Sequence, residues 1–286
     1  MSKYPMVRIV ASTGADVGGT GHHGSMTDGY DPDFLLVPLP LPQPAQVVRT
    51  LPYPRFSVLL DPARRLAAVT AVNIDGETLR DLPRTGEWRL DERVAAAEQT
   101  GPAVYARNDL DRGHLVRRRD PGWGTVDAAR EASEATFFYT NAAPQAAGFN
   151  QSEQLWLGLE DHVLAYAETT DQRLSVFTAP VLADDDPPYR GIRIPLRFWK
   201  VAAWVGAEGL SAAGFVLDQS ALVHAEEETL TVAPLGAFRT FQVPIADIAT
   251  VTGVDLGPLI GADVLVRAGA RDSGWRALVS TSDIIL

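Results

Sequence analysis

The residues whose types and spacing could do chemistry lie between Asn108 and Glu160 of this 286-residue chain. His114 follows Arg112 by two positions, so on an extended strand both side chains would point to the same face. A guanidinium can hold a phosphate oxygen through two hydrogen bonds, and a neutral imidazole can take a proton from an attacking water. Gly113, between them, would let a ligand approach the backbone closely. The pair therefore suits the hydrolysis of a phosphodiester.

Phosphodiester cleavage also needs charge stabilisation on the leaving oxygen, which a divalent cation usually supplies. The chain has no cysteine and only 5 histidines, so a zinc cage is not expected, and a hard cation with few protein oxygens and several waters fits better. Asn150, at the start of a predicted helix, could offer a carbonyl oxygen, and Glu160 on that helix could order metal-bound waters. The simpler alternatives are that Asn150 is only a helix N-cap and Glu160 only a surface charge.

The elements that must hold these residues are mostly strands. Residues 56–61 and 66–76 are apolar and β-branched around a short polar turn, which predicts an antiparallel hairpin inside a sheet. Residues 136–140 also have a strand pattern, as does most of the chain after 173. Apolar residues recur at helical spacing over 151–169, which predicts a helix directly after Asn150.

The overall charge is acidic, at -11 with a pI near 4.9, which argues against a generally basic nucleic-acid-binding protein. A polyanionic partner must then be met by a local group of arginines. Such a group surrounds the histidine and comprises Arg107, Arg112, Arg117, Arg118, Arg119 and Arg130. The Arg117–Arg119 triplet alone could be a solvated charge run, but beside Arg112 we favour a rim that tracks phosphates. The sequence shows no groove-reading helix, so we expect no sequence specificity.

Four blocks, in this order, resemble the DNA/RNA non-specific endonuclease family. They are Asp111-Arg112-Gly113-His114, Thr140-Asn141-Ala142-Ala143-Pro144-Gln145, Phe149-Asn150-Gln151 and Trp156-Leu157-Gly158-Leu159-Glu160. The resemblance covers about residues 29–257. It implies an α+β fold, with a ββα-metal nuclease core within a larger central antiparallel sheet flanked by helices.

The resemblance also implies a role for each matching residue. His114 would be the general base, and Asn150 the one direct protein ligand of Mg²⁺, for which Mn²⁺ or another hard divalent cation could substitute. Glu160 would hold metal-bound waters. Arg112 and Asn141 would place the phosphate and the histidine.

Further residues have supporting roles in this interpretation. Asp111 would anchor the residues that contact the substrate. The family also has an arginine upstream of its Asp-Arg-Gly-His block, for which Arg89 is the first candidate and Arg84 the second. Arg117 and Arg118 would bind the substrate backbone.

We therefore predict a Mg²⁺-dependent endonuclease that cleaves DNA and RNA with little base preference. A non-catalytic nucleic-acid-binding or scaffold protein on the same fold, and a metal phosphodiesterase for small substrates, stay open as alternatives. The predicted organisation is a flexible tail over residues 1–28, one nuclease domain over 29–265 and a C-terminal extension over 266–286. The expected partners are DNA and RNA, and the resemblance leaves room for a homodimer and for an inhibitory or regulatory protein.

The sequence leaves the cellular location open. No run of about 18 apolar residues occurs, so we expect no membrane span. The N-terminal residues do not have the pattern of a signal peptide, which favours a cytoplasmic protein or a non-standard export route. A nuclease without a signal peptide also hints at an inhibitor or a gated activity.

Overall fold

The structure, a computed structural model, describes residues 28–147, 156–226, 229–232, 239–267 and 274–286. Its α-helices are α1 (Pro102–Tyr105), α2 (Val126–Ala135), α3 (Trp156–Thr170), α4 (Ile245–Thr252) and α5 (Val264–Arg267). The first eight strands are β1 (Gln43–Pro44), β2 (Arg49–Tyr53), β3 (Phe56–Asp61), β4 (Leu66–Asp75), β5 (Leu110–His114), β6 (Ala142–Ala146), β7 (Arg173–Pro180) and β8 (Pro188–Tyr189). The others are β9 (Ile192–Arg193), β10 (Arg197–Gly206), β11 (Gly209–Asp218), β12 (Val223–Glu226), β13 (Thr229–Val232), β14 (Arg239–Val243), β15 (Val254–Asp255) and β16 (Arg276–Leu278).

An antiparallel sheet of eight strands, in the order β16-β14-β11-β10-β7-β4-β3-β2, is the frame of the molecule. Its central strands are buried on both faces, because alternate residues of each strand enter two different cores. On β4, for example, Val72 and Ile74 belong to one core, whereas Val69 and Ala71 belong to the other. The predicted hairpin of 56–61 and 66–76 is confirmed as β3 and β4.

Each face of the sheet is covered by a helix. Leu159 and Val163 of α3 pack into the first core together with the hairpin of β5 and β6. Ile245 and Ile248 of α4 pack into the second core. Two strands and a following helix therefore lie on one face of the large sheet, in agreement with the predicted α+β class.

Two stretches differ from the sequence-based expectation. Residues 136–140 do not form a strand, because Thr136 ends α2 and Tyr139–Asn141 form a 3₁₀ turn that leads into β6. The sequence of this stretch has a strand pattern because its aromatic side chains pack into the core, but the backbone does not join a sheet. Within the predicted C-terminal extension, β16 pairs with β14 at the sheet edge, and Ile285 exchanges hydrogen bonds with Gln242.

Other expectations fall partly outside the described residues. The predicted tail lies there except for residue 28, and so do Asn150 and the first five residues of the predicted helix over 151–169. The remainder of that helix is α3. Within the described ranges no helix is long and apolar enough to cross a membrane.

Candidate active site

The hairpin of β5 and β6 carries the first candidate residues. His114 pairs in register with Ala142, and Arg112 pairs with Pro144. Because Arg112 and His114 are two residues apart on one strand, their side chains leave the same face, as the sequence predicts. The Arg112 side chain is exposed and the imidazole is partly buried, so an anion on this face could meet both groups.

Gly113 has a different purpose from the one that the sequence suggests. A Cβ atom at this position would lie 2.1 Å from Cδ of Gln145, whose side chain is buried. The glycine therefore makes room for a side chain of the protein itself, not for a ligand. This close approach locks β5 against β6 and so fixes the backbone that carries His114.

The His114 ring is held by two aromatic side chains. Its centroid lies 4.5 Å from the Trp88 ring and 4.8 Å from the Phe137 ring, which meets it edge-on at 88°. Burial lowers the pKa of His114 to about 3, and the positive charges of Arg84, Arg117 and Arg118 lower it further in the same direction. The imidazole is therefore neutral near pH 7, which is the state that a general base needs. Its Nε2 is buried and has no hydrogen-bond partner among the residues that the structure describes.

The structure separates the two upstream arginines. Arg89 is exposed and its guanidinium lies 4.1 Å from the centroid of the Phe138 ring. Arg84 lies 5.2 Å from the Phe137 ring, the ring that touches His114, and its charge acts on the pKa of the histidine. Arg84, the second candidate from the sequence, is thus the one placed electrostatically beside the candidate base.

Glu160 is buried, which excludes the alternative of a simple surface charge. Its Oε2 lies 3.2 Å from Nε of Arg117, and its Oε1 lies 3.3 Å from Nζ of Lys200. Lys200 also donates to Oγ1 of Thr178 at 2.9 Å. Glu160 thereby connects the loop after β5 to α3 and to the central strands of the sheet.

The expectation of an exposed Arg117 needs correction. Its side chain is only 16% exposed and pairs with Glu160 and, through Nη2 at 2.8 Å, with Asp161. The guanidinium turns inward because a buried carboxylate stands there to receive it. Arg118 remains partly exposed and donates from Nη1 to the carbonyl of Leu82 at 2.7 Å.

Sequence reasoning missed two charged residues of this cluster, Asp120 and Lys200. Burial raises the pKa of Asp120 to about 6, and nearby Glu160 raises it too, while the charges of Arg117 and Lys200 oppose the rise. Asp120 also accepts a hydrogen bond from the backbone N–H of Arg117 at 3.1 Å. The available signal was Lys200 itself, because a lysine in an apolar strand such as β10 is almost never buried without a charged partner.

Asn141 is fully buried and acts on the backbone. Its Oδ1 accepts from the N–H of Val116 at 2.9 Å, and its Nδ2 donates to the carbonyls of Val116 and Thr136 at 2.8 and 2.9 Å. These bonds fix the backbone of Val116, two residues after His114. The amide has no exposed surface in this structure, and its predicted part in placing the phosphate stays a prediction.

The remaining predicted residues are Asp111 and Asn150. Asp111 is partly buried and pairs in register with Gln145, on the opposite face of β5 from Arg112. Asn150, the predicted metal ligand, lies outside the described residues. Within the described part of the chain, no three histidine, aspartate or glutamate side chains are close enough to hold a metal ion. Glu160 could act on a cation through a water, since Arg117 and Lys200 already contact its carboxylate.

Comparison with known proteins identifies the family of the chain. The sequence model of a family described as DNA/RNA non-specific endonuclease matches residues 41–261. The chain is 38% identical to the uncharacterized protein y4fB of Sinorhizobium fredii over 90% of this chain, but the match spans only 42% of that protein. It is 27% identical to the mitochondrial endonuclease G of Homo sapiens, over 75% of this chain and 70% of that protein.

A solved structure resembles the fold. The crystal structure of the EndoG/EndoGI complex aligns with a TM-score of 0.56, covering 73% of this chain and 85% of that one, at 19% sequence identity. At this identity the match bears on the fold alone, and it confirms the predicted fold class.

Proposed function

Because this chain belongs to the DNA/RNA non-specific endonuclease family, we propose that it is an endonuclease that hydrolyses DNA and RNA with little sequence preference. The observation that supports this most directly is the state of His114. Its imidazole is neutral near pH 7, is held between Trp88 and Phe137, and shares one strand face with the exposed guanidinium of Arg112. A base and a phosphate-binding group are therefore next to each other.

In the proposed reaction, the imidazole of His114 takes a proton from a water molecule as that water attacks the phosphorus atom. A new bond forms between the water oxygen and phosphorus, and the bond from phosphorus to the 3′ oxygen breaks; the leaving oxygen takes a proton from solvent water, so that the products are a 5′ phosphate and a 3′ hydroxyl. Arg112 binds a non-bridging phosphate oxygen, and its charge favours the pentavalent transition state. Asn141 acts at a distance by fixing the backbone after the histidine.

We propose a hard divalent cation, Mg²⁺ or in its place Mn²⁺, as the cofactor. Asn150 would be its direct protein ligand, and Glu160 would hold a water bound to it. When bound, the cation would stabilise the negative charge that develops on the leaving oxygen. Arg117 and Lys200 would orient Glu160 for this task, since each contacts one of its two carboxylate oxygens.

The proposed partners are DNA and RNA as substrates. The solved EndoG/EndoGI complex concerns a mechanism of EndoG inhibition, and an inhibitory protein is a proposed partner for this chain on the same basis. A homodimer stays a prediction from the resemblance.

Digestion of supercoiled plasmid and of RNA with Mg²⁺ tests the function. We expect His114→Ala to reduce cleavage by about 10²- to 10⁴-fold, the usual contribution of a general base, and a chelator to abolish it. His224→Ala is the matched control, because His224 is an exposed histidine on β12, and it should cleave as the parent does. An intact plasmid at high protein concentration would instead favour the non-catalytic alternative, and a much faster rate on a small diester would favour the small-substrate phosphodiesterase.

A further inference from the structure

A second basic site lies outside the proposed active site. A surface cavity of about 480 Å³ is lined by Arg64, Arg190 and Arg193, together with Tyr189 and Ile192. We call Arg64, Arg190 and Arg193 the arginine pocket. Three guanidinium groups around one open cavity are unexpected in a chain of net charge -11, and their positive charge favours the binding of an anion.

The guanidinium groups are anchored mainly by neutral acceptors. Arg190 donates from Nη1 to the carbonyls of Ala103 and Ala106 at 3.0 and 2.7 Å. Arg193 donates to the carbonyl of Asp186 at 2.8 Å. Carbonyl acceptors orient a guanidinium without cancelling its charge, and they leave its other N–H groups for a ligand.

Two carboxylates lie beside the pocket, Asp186 and Asp61, and Asp61 accepts hydrogen bonds from the backbone N–H groups of Ala63 and Arg64. Asp186 is buried and pairs with Arg64 at 2.6 Å, so it offsets one of the three positive charges. Within the described ranges, no ion pair of 4 Å or less joins Arg190 or Arg193 to a carboxylate. Arg190 and Arg193 are therefore available to pair with a phosphate group.

The backbone around the pocket is also informative. Arg190 has a φ of 45°, and Arg65, whose Nη1 donates to the carbonyl of Gly191 in the pocket wall, has a φ of 62°. Residues other than glycine and asparagine rarely adopt this left-handed conformation because of the contact between Cβ and the backbone. Arginine at two such positions lowers the stability of the protein, which suggests that these side chains have a function at the pocket.

The pocket lies near the end of β5 that is opposite His114. Nδ2 of Asn108, two residues before β5, donates to the hydroxyl of Tyr189 at 2.9 Å, and Arg190 holds the end of α1. The ring of Tyr105 in α1 lies 5.9 Å from the guanidinium of Arg112. From Leu110 to His114 the strand spans about 14 Å, a length that corresponds to about four nucleotides of duplex.

We propose that the arginine pocket binds a backbone phosphate of the nucleic acid, at least about four nucleotides from the phosphate that is attacked at His114. This inference rests on the proposed function, since it concerns the same substrate. An acidic protein repels a polyanion over most of its surface, so a second anchor would hold a long substrate in place after a first contact. Short substrates end before they reach the pocket and gain nothing from it.

The test compares hairpin duplexes of about 3 and about 20 base pairs, each closed by a non-nucleotide linker, because a duplex of about 3 base pairs spans only about 10 Å and the longer one alone can reach from His114 to the pocket. Binding to the full chain is measured by fluorescence anisotropy in a chelator, so that nothing is cut, over a range of salt concentrations. The test variant is Arg190→Gln/Arg193→Gln, in which glutamine keeps a donor for the carbonyls but loses the charge. The matched control is Arg239→Gln/Arg276→Gln, which removes two exposed arginines from the sheet edge at β14 and β16.

We expect the pocket variant to bind the longer hairpin about 3- to 10-fold more weakly than the parent, and the shorter hairpin equally well. The slope of log K against log salt concentration should become shallower by about 1 for one lost phosphate contact. Arg193→Gln alone, at an exposed position, should show part of the same loss if the double variant folds poorly. A loss equal to that of the control, or an equal loss on both hairpins, would overturn the proposal.

The same hairpins, incubated with Mg²⁺, keep the two proposals apart. If the parent cuts neither hairpin but shows the expected binding pattern, the proposed function fails and the arginine pocket stands. If the pocket variant cuts and binds the longer hairpin as the parent does, the pocket proposal fails and the proposed function stands.

Discussion

The low pKa of His114 predicts how the stability of the protein depends on pH. The imidazole has a pKa of about 3 in the folded protein, against 6.5 as its ordinary value. Below pH 6.5 the unfolded chain binds a proton at this residue and the native protein does not. The contribution of His114 to the free energy of unfolding is therefore fully present above about pH 6.5 and is lost as the pH falls toward 3. His114→Asn removes the titrating group and should remove this loss.

The size of the effect follows from the two pKa values. Between pH 7 and pH 5 the proton occupancy of His114 in the unfolded state rises from about one quarter to nearly one, while the folded state stays unprotonated, and integrating this difference at about 1.4 kcal/mol per proton and pH unit lowers the free energy of unfolding by about 2 kcal/mol. Asp120 acts in the opposite direction. Its pKa is raised from 3.8 to about 6, so its contribution is present below pH 3.8 and is lost as the pH rises through 6. At pH 5 Asp120 thus adds about 1 kcal/mol to the free energy of unfolding. This contribution is the same in the parent and in the His114→Asn variant, so it cancels when the two are compared.

Urea unfolding of the parent and of His114→Asn at pH 7 and pH 5, in a chelator, measures the difference. The parent should lose about 2 kcal/mol more than the variant between the two pH values. Equal losses would refute the argument, because they would mean that His114 titrates alike in the folded and unfolded states. In that case the imidazole would also be largely protonated at pH 5, and the cleavage rate should fall below pH 6.5 as it would for an ordinary histidine.

Two further predictions concern the frame of the site. Lys200→Met should lower the free energy of unfolding by about 3 kcal/mol and reduce the cleavage rate, because the buried carboxylate of Glu160 loses its contact with the lysine ammonium group. Adding Glu160→Gln to this variant should restore part of the stability but not the cleavage rate. Gly113→Ala should lower the free energy of unfolding by about 1–3 kcal/mol, because the added Cβ would overlap the side chain of Gln145. When Gln145→Ala is combined with it, the cost of the Gly113 substitution should be smaller. Urea unfolding measures both, and additive losses would contradict this explanation.

Local patterns were enough to predict several features. The strand period of two places Arg112 and His114 on one face whatever the rest of the chain does. The apolar strands around residues 62–65 form the hairpin of β3 and β4 because their pattern and turn agree with the sheet that receives them. Residues 136–140 failed the same test, since the packing of aromatic side chains does not by itself create a strand.

The charged residues were harder to predict, because their partners are distant in the chain. Arg117 stands in a run of three arginines that suggests a solvated rim, and nothing nearby in the sequence shows that it turns inward. It does so because Glu160 of α3 is buried beside it and Lys200 completes the cluster from β10. Likewise, the need for glycine at position 113 follows only from the position of the Gln145 side chain, which would overlap a Cβ atom there.

The sequence by itself determined which chemical groups are present and which neighbours share a strand face, because these depend on residue type and on the local backbone period. That was enough for the fold class, the family and the pairing of His114 with Arg112. Only the tertiary structure decided the ionisation of His114, the inward turn of Arg117 and the grouping of the arginine pocket. Burial and the proximity of distant charges control these properties, and both arise only when the sheet, α3 and the hairpin pack together.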